Sequence, residues 1–229
     1  MSNKLTRRTF LLCALAIASC GRASKKLKAE TVRAQETKSR RLMVVLHGLG
    51  DSAAGYSWLP TAMNLPWLNY LLINAPHPYE GGYSWFSNQS DIKRSADLLF
   101  TFLDEKRNEG WPTEQTMLFG YSQGCNLAWQ LGLRYPHRFA GIVGINGFVN
   151  DLPAASASLS PVARQQRYLV THGTEDPIIP LAPAAAQIQQ LKKAGLNIDW
   201  REFKREHTIA GAEEIDVIRE FTVASYPKG

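Results

Sequence analysis

Beyond residue 41 the chain alternates between short unbroken apolar runs and longer stretches whose apolar positions recur every three or four residues. Leu42-Met43-Val44-Val45-Leu46 is one such run. A strand covered on both faces has this pattern, because neither side meets water. Comparable runs follow at 70–73, 116–119, 140–145 and 168–171, and a further strand is predicted at 198–203. Between them, Ala96, Leu99, Phe100 and Leu103 fall on one face of a helix that Asp91 can cap. Further helices are predicted over about 125–134, 183–193 and 213–223, with Pro183 suited to a first turn. Strands alternating with helices predict a single α/β domain over 42–229, a mostly parallel sheet with helices on both faces. Two stretches, 79–89 and 149–165, break the rhythm and are expected as loops at the carboxyl edge of the sheet. Open α/β folds bind ligands there.

The net charge of +6 invites a nucleic-acid reading until its location is considered. Residues 1–41 carry eleven Lys and Arg against two Asp and Glu, whereas the remaining 188 residues carry fifteen against eighteen. The basicity belongs to the N-terminal segment, and no basic stripe is left on the domain to hold nucleic acid. Within residues 1–20, Thr6-Arg7-Arg8-Thr9-Phe10-Leu11-Leu12 resembles a twin-arginine export signal. The apolar run that follows is too short for a permanent membrane span. Ile17-Ala18-Ser19-Cys20 resembles a lipobox, which makes Cys20 the expected lipid acceptor and the protein an exported, membrane-tethered one. Residues 21–41 are polar and basic and are expected to form a flexible tether. Of three cysteines, Cys13 leaves with the leader and Cys20 takes lipid, so Cys125 stands alone and no disulfide framework exists.

Gly120-Tyr121-Ser122-Gln123-Gly124 directly follows the apolar run 116–119. Glycines flanking a serine relieve crowding in a tight strand-to-helix turn, which lifts the hydroxyl above the sheet edge to meet an acyl carbonyl. A serine needs a base, and on this kind of fold the acid and then the histidine come later in the chain. His137, His172 and His207 satisfy the order. His137 comes directly after the helix of the serine turn, with no acid between. His172 would have to use Asp151, in an irregular segment. His207 follows a strand, and Asp176 lies in the turn after the preceding strand, so Ser122, Asp176 and His207 are the candidate nucleophile, acid and base. Glu175 remains an alternative to Asp176. The backbone N–H groups of Gln123 and of Leu49, in His47-Gly48-Leu49-Gly50, are the candidate oxyanion donors. His47 and His77 are assigned structural or loop roles, with His77 near the cleft.

Taken together, His47-Gly48-Leu49-Gly50-Asp51-Ser52, Ala75-Pro76-His77-Pro78, Ser84-Trp85-Phe86, the serine turn and Gly173-Thr174-Glu175-Asp176-Pro177-Ile178-Ile179-Pro180 resemble the phospholipase/carboxylesterase family of small α/β hydrolases, which includes acyl-protein thioesterases. The resemblance implies a serine esterase or thioesterase acting on a small acyl substrate without metal or organic cofactor. Three departures stand out: Cys125 stands where a small residue is more usual, the segment between Pro78 and Trp85 is short, and Lys204-Arg205-Glu206-His207 lacks the glycines often found before the histidine. Tyr83, Trp85 and Phe86 are expected to wall an acyl groove. The expected activity is a carboxylesterase. Its alternatives are an acyl thioesterase or lysophospholipase and, in a different class, a binding lipoprotein that keeps the fold without the chemistry.

Overall fold

The computed structural model describes residues 26–157 and 159–226. Residues 1–20, where an export signal is expected, lie outside the described residues, Cys20 among them. In chain order the elements are β1 (Lys28–Val32), β2 (Leu42–Leu46), α1 (Leu59–Met63), β3 (Asn69–Asn74), β4 (His77–Tyr79), β5 (Gly82–Ser84), α2 (Gln89–Asn108), β6 (Thr116–Tyr121), α3 (Gln123–Arg134), β7 (Gly141–Ile145), α4 (Leu152–Ala157), β8 (Arg167–Gly173), α5 (Leu181–Lys193), β9 (Asn197–Phe203) and α6 (Gly211–Ser225).

Seven strands form one sheet in the order β1-β3-β2-β6-β7-β8-β9, parallel throughout except for β1, which runs antiparallel to β3. The pleat of β2 shows how the layers divide. Leu42, Val44 and Leu46 join a core with Ile92 and Leu99 of α2, Leu127 and Leu131 of α3, and Ile188 and Leu191 of α5. Met43 and Val45, pointing the other way, join Leu59 and Met63 of α1 and Ile215 and Ile218 of α6. Alternate residues therefore serve opposite helix layers, which is why the strand reads as continuously apolar. Each large side chain so buried contributes about 1.5–3 kcal/mol relative to exposure.

The tether expected over 21–41 is corrected from residue 28 onward. Lys28–Val32 pairs with β3 along five residues, with all five of its own side chains exposed. Ala34 N–H then donates to Asn69 Oδ1 at 3.0 Å, and the Arg33 and Arg40 guanidiniums each lie 5.4 Å from the centre of the Trp111 ring. The domain thus includes this segment. Because β1 is held by main-chain bonds along the sheet edge with all of its side chains exposed, it leaves no apolar signature.

Other boundaries move less. Asn88, rather than Asp91, caps α2: its Oδ1 accepts the Asp91 N–H at 3.1 Å, and its Nδ2 donates to Asp91 Oδ2 at 2.8 Å. The segment 79–89 contains β5, paired with β4 in a small antiparallel ribbon, and 149–165 carries α4.

Candidate active site

The last residues of β6 and the first of α3 form the turn that carries Ser122. Ser122 adopts φ 53° and ψ −116°, a left-handed conformation that a side chain favours only under constraint. The constraint comes from both ends: Ser122 N–H donates to Ile145 O of β7 at 2.9 Å, and Ser122 O accepts Asn126 N–H of α3 at 3.1 Å. The flanking glycines are needed for space. A Cβ on Gly124 would strike Leu46 O, and would lie 2.8 Å from His47 O; one on Gly120 would strike Gly124 O. Cys125, directly behind the turn, is wholly buried, and burial pushes its thiol well above the ordinary range.

The structure brings Ser122, His207 and Asp176 together. Ser122 Oγ lies 2.9 Å from His207 Nε2, and His207 Nδ1 lies 2.7 Å from Asp176 Oδ2. The other carboxylate oxygen, Oδ1, accepts the N–H groups of Ile178 at 2.8 Å and Ile179 at 2.9 Å. Burial raises the Asp176 pKa, but the Ile179 N–H, His207 and the Ile178 N–H together outweigh it, and the net shift is downward. An ionised Asp176 accepts from Nδ1–H, which leaves Nε2 bare to accept from the serine hydroxyl.

The competing assignments separate in space. Glu175 is exposed, 4.0 Å from Lys204. His172 is fully buried, donates from Nε2 to Ile179 O at 2.8 Å and stacks on Trp200. Burial drives its pKa down, against smaller upward effects of the Ile179 carbonyl and Asp176. It packs behind the carboxylate as a neutral ring. His137 meets Tyr135 beyond the end of α3, and Asp151 sits exposed just before α4.

Leu49 lies in the loop after β2, half-exposed, and Gln123 is the first residue of α3, so its N–H stands outside the helical ladder at the positive end of the helix. His47 organises the first of these segments. Its Nδ1–H donates to Gly48 O at 2.6 Å and its Nε2 accepts the Ala75 N–H at 3.1 Å. In a trans peptide the Leu49 N–H points away from the Gly48 carbonyl, so fixing one fixes the other. From sequence alone His47 has a structural or loop role and no identifiable partner.

Trp85 is not a groove wall. It is fully buried, with Nε1–H donating to His47 O at 2.9 Å and its own carbonyl accepting from Ser95 Oγ at 2.5 Å. Tyr83 and Phe86, on either side of the Ser84–Trp85 pair, stay partly exposed. The physical reason is local: Trp85 lies in the bend after β5, where its indole turns into the core and its N–H meets the His47 carbonyl. The Gln123 side chain was also missed. Its Oε1 accepts the Trp85 N–H at 3.0 Å and its Nε2 donates to Phe86 O at 3.0 Å, stapling the ribbon exit to the serine turn. Tyr83 pairs with Asp51 through backbone bonds, which joins the ribbon to the Leu49 loop as well.

Residues 27–225 match the family described as Phospholipase/Carboxylesterase. Acyl-protein thioesterase 1 of Schizosaccharomyces pombe is 34% identical over 169 residues, covering 65% of this chain and 74% of that protein. Among solved structures, esterase PE8 superposes with a TM-score of 0.80 at 24% identity, covering 87% of this chain and 99% of that one. Acyl-protein thioesterase 2 of Zea mays does so with a TM-score of 0.69 at 20% identity, covering 86% and 98%. The structural likenesses establish the α/β-hydrolase fold, and the family match over most of the chain establishes more: this protein belongs to the phospholipase/carboxylesterase family of hydrolases.

Proposed function

We propose that this chain is a serine carboxylesterase in which Ser122 forms an acyl-enzyme. The observation that carries the reading is the continuous relay from Ser122 Oγ through both nitrogens of His207 to a buried carboxylate. In the proposed reaction His207 Nε2 takes the hydroxyl proton as Oγ attacks the acyl carbon. The carbonyl oxygen becomes an oxyanion held by the Leu49 and Gln123 N–H groups, the latter helped by the α3 dipole. Collapse of the adduct breaks the bond to the alcohol, which leaves with the proton from His207. Water, deprotonated by the same nitrogen, then attacks the acyl-enzyme and returns the serine. Asp176 keeps its charge throughout and stabilises the imidazolium.

A fluorophosphonate probe tests the assignment. Wild-type protein and Cys125→Ala are expected to label, and Ser122→Ala is not. An unlabelled wild type would favour the binding-lipoprotein reading instead. Thioester cleavage is the second reading, favoured by the name of the fungal relative. Matched oxygen and thiol esters of one acyl chain separate the two by their ratio of kcat/KM. The proposed setting is outside the cytoplasm with lipid on Cys20, supported by the residue pattern of 1–20.

A further inference from the structure

We propose that Arg205, Glu214, Asn146 and Tyr121 form a buried positioning network whose task is to hold the His207 loop in register with Ser122; it rests on the reading of Ser122 and His207 as nucleophile and base. The segment between β9 and α6 contains no glycine until Gly211, so the backbone before the histidine must be held by something other than a tight glycine turn.

Side chains hold it. Three successive carbonyls of the loop are each taken by a different donor. Glu206 O accepts from Arg205 Nη1 at 3.1 Å, His207 O from Tyr121 Oη at 2.6 Å, and Thr208 O from Asn146 Nδ2 at 3.2 Å. Ala210 N–H donates to Glu214 Oε2 at 2.6 Å. The donors come from the ends of β6 and β7 and from the loop itself, while Glu214 comes from α6, so the histidine is referenced to the strand that bears the serine and to the strand beside it.

Arg205 joins these groups. Its Nε and Nη2 meet both oxygens of Glu214 at 2.9 and 2.6 Å, and its Nη1 also donates to Asn146 Oδ1 at 2.7 Å. Arg205 is 7% exposed, and Glu214 and Asn146 are wholly buried. Asn146 itself sits at φ 48°, a left-handed position asparagine tolerates better than most residues, and its Oδ1 accepts the Gly173 N–H of β8 at 3.1 Å.

Stability alone does not account for this arrangement. A buried ion pair loses its hydration, and an apolar pair of similar volume is often as stable or more so. What an apolar pair cannot do is donate in several fixed directions at once. The planar guanidinium does, and a lysine ammonium would not reproduce the fork.

The experiment compares wild type with Arg205→Met/Glu214→Leu, which removes both charges together and leaves neither buried alone, and with Arg205→Lys. The double variant is expected to unfold cooperatively near the wild-type temperature. Its KM should stay within about twofold of wild type while kcat falls ~10–100-fold, the scale of an ångström-sized misplacement of a reacting group. Arg205→Lys should fall between the two. Tyr121→Phe removes only the hydroxyl on His207 O and keeps the test open if the double variant does not fold; its kcat should drop ~3–10-fold at unchanged KM. Folded variants that keep wild-type kcat would overturn the proposal. Labelling by a fluorophosphonate separates the two ideas. A wild type that resists the probe sinks the nucleophile assignment, whereas a labelled wild type with unimpaired variants sinks only the positioning network.

Discussion

His207 Nε2 lies 2.9 Å from Ser122 Oγ although 85 residues separate them in the chain. The serine is placed by a strained turn at the end of a central strand, and the histidine by a loop three strands further along the sheet. Asp176, in the turn after β8, completes the relay.

Asp176→Asn is therefore expected to leave the fold intact and to lower kcat about a thousand- to ten-thousand-fold, because an amide can stabilise the wrong imidazole tautomer and no longer balances the imidazolium. Steady-state hydrolysis of a soluble ester, with circular dichroism as a control, measures it. A variant that keeps its kcat would mean that another group serves His207.

Trp85, Tyr83 and Phe86 should behave differently although they are neighbours. Trp85→Ala removes a fully buried indole and should cost about 3–5 kcal/mol of stability, seen in denaturant titration. Tyr83→Ala and Phe86→Ala, at partly buried positions against the same core, should cost less stability than Trp85→Ala but should raise KM more as the acyl chain lengthens. Each methylene that loses its contact forfeits up to about 0.8 kcal/mol. With only the three-residue β5 and the six-residue α4 formed in the two segments that interrupt the strand–helix rhythm, activity should climb with chain length, level off, and show no jump at the micellar threshold. Such a jump would indicate a mobile apolar lid.

Stability should fall on acidification in two stages. Burial holds His47 below the ordinary histidine value, partly offset by the Gly48 carbonyl and Asp51, and burial does the same to His172. Below about 6.5 the unfolded chain takes up protons that the folded one refuses, so stability declines as pH drops from 7 toward 5. Asp176 acts lower. Its net depressed pKa contributes stability above the unfolded value of about 3.9, lost as pH falls through the folded one. Thermal midpoints across pH test this. His172→Gln, whose amide nitrogen comes nearest to the place of Nε2 opposite Ile179 O, should flatten the decline between pH 7 and 5. An unchanged slope would remove His172 from the explanation.

Mass spectrometry of the protein from its native host should find a mature N-terminus at Cys20 carrying more than one acyl chain, since a single chain holds a protein only marginally to a bilayer. An unmodified terminus elsewhere would leave an enzyme without an anchor.

Much of this protein is determined by local sequence. Strands covered on both faces must be apolar at every position, so β2, β6 and β7 announce themselves, and a serine between glycines after such a strand announces the turn. The chain order of acid and histidine then selects His207 with Asp176 or its neighbour Glu175, and the structure decides for Asp176. Tertiary structure decided what depends on partners remote in sequence. β1 exists because β3 offers an unpaired edge, which no property of its exposed side chains reveals. Trp85 turns inward because His47 offers a carbonyl there, while Tyr83 and Phe86 remain partly exposed. Arg205 and Glu214 look like ordinary surface charges in sequence, nine residues apart. Only the packing of α6 against the end of the sheet buries them together, where a buried charge must find its partner and in doing so fixes the loop that carries His207.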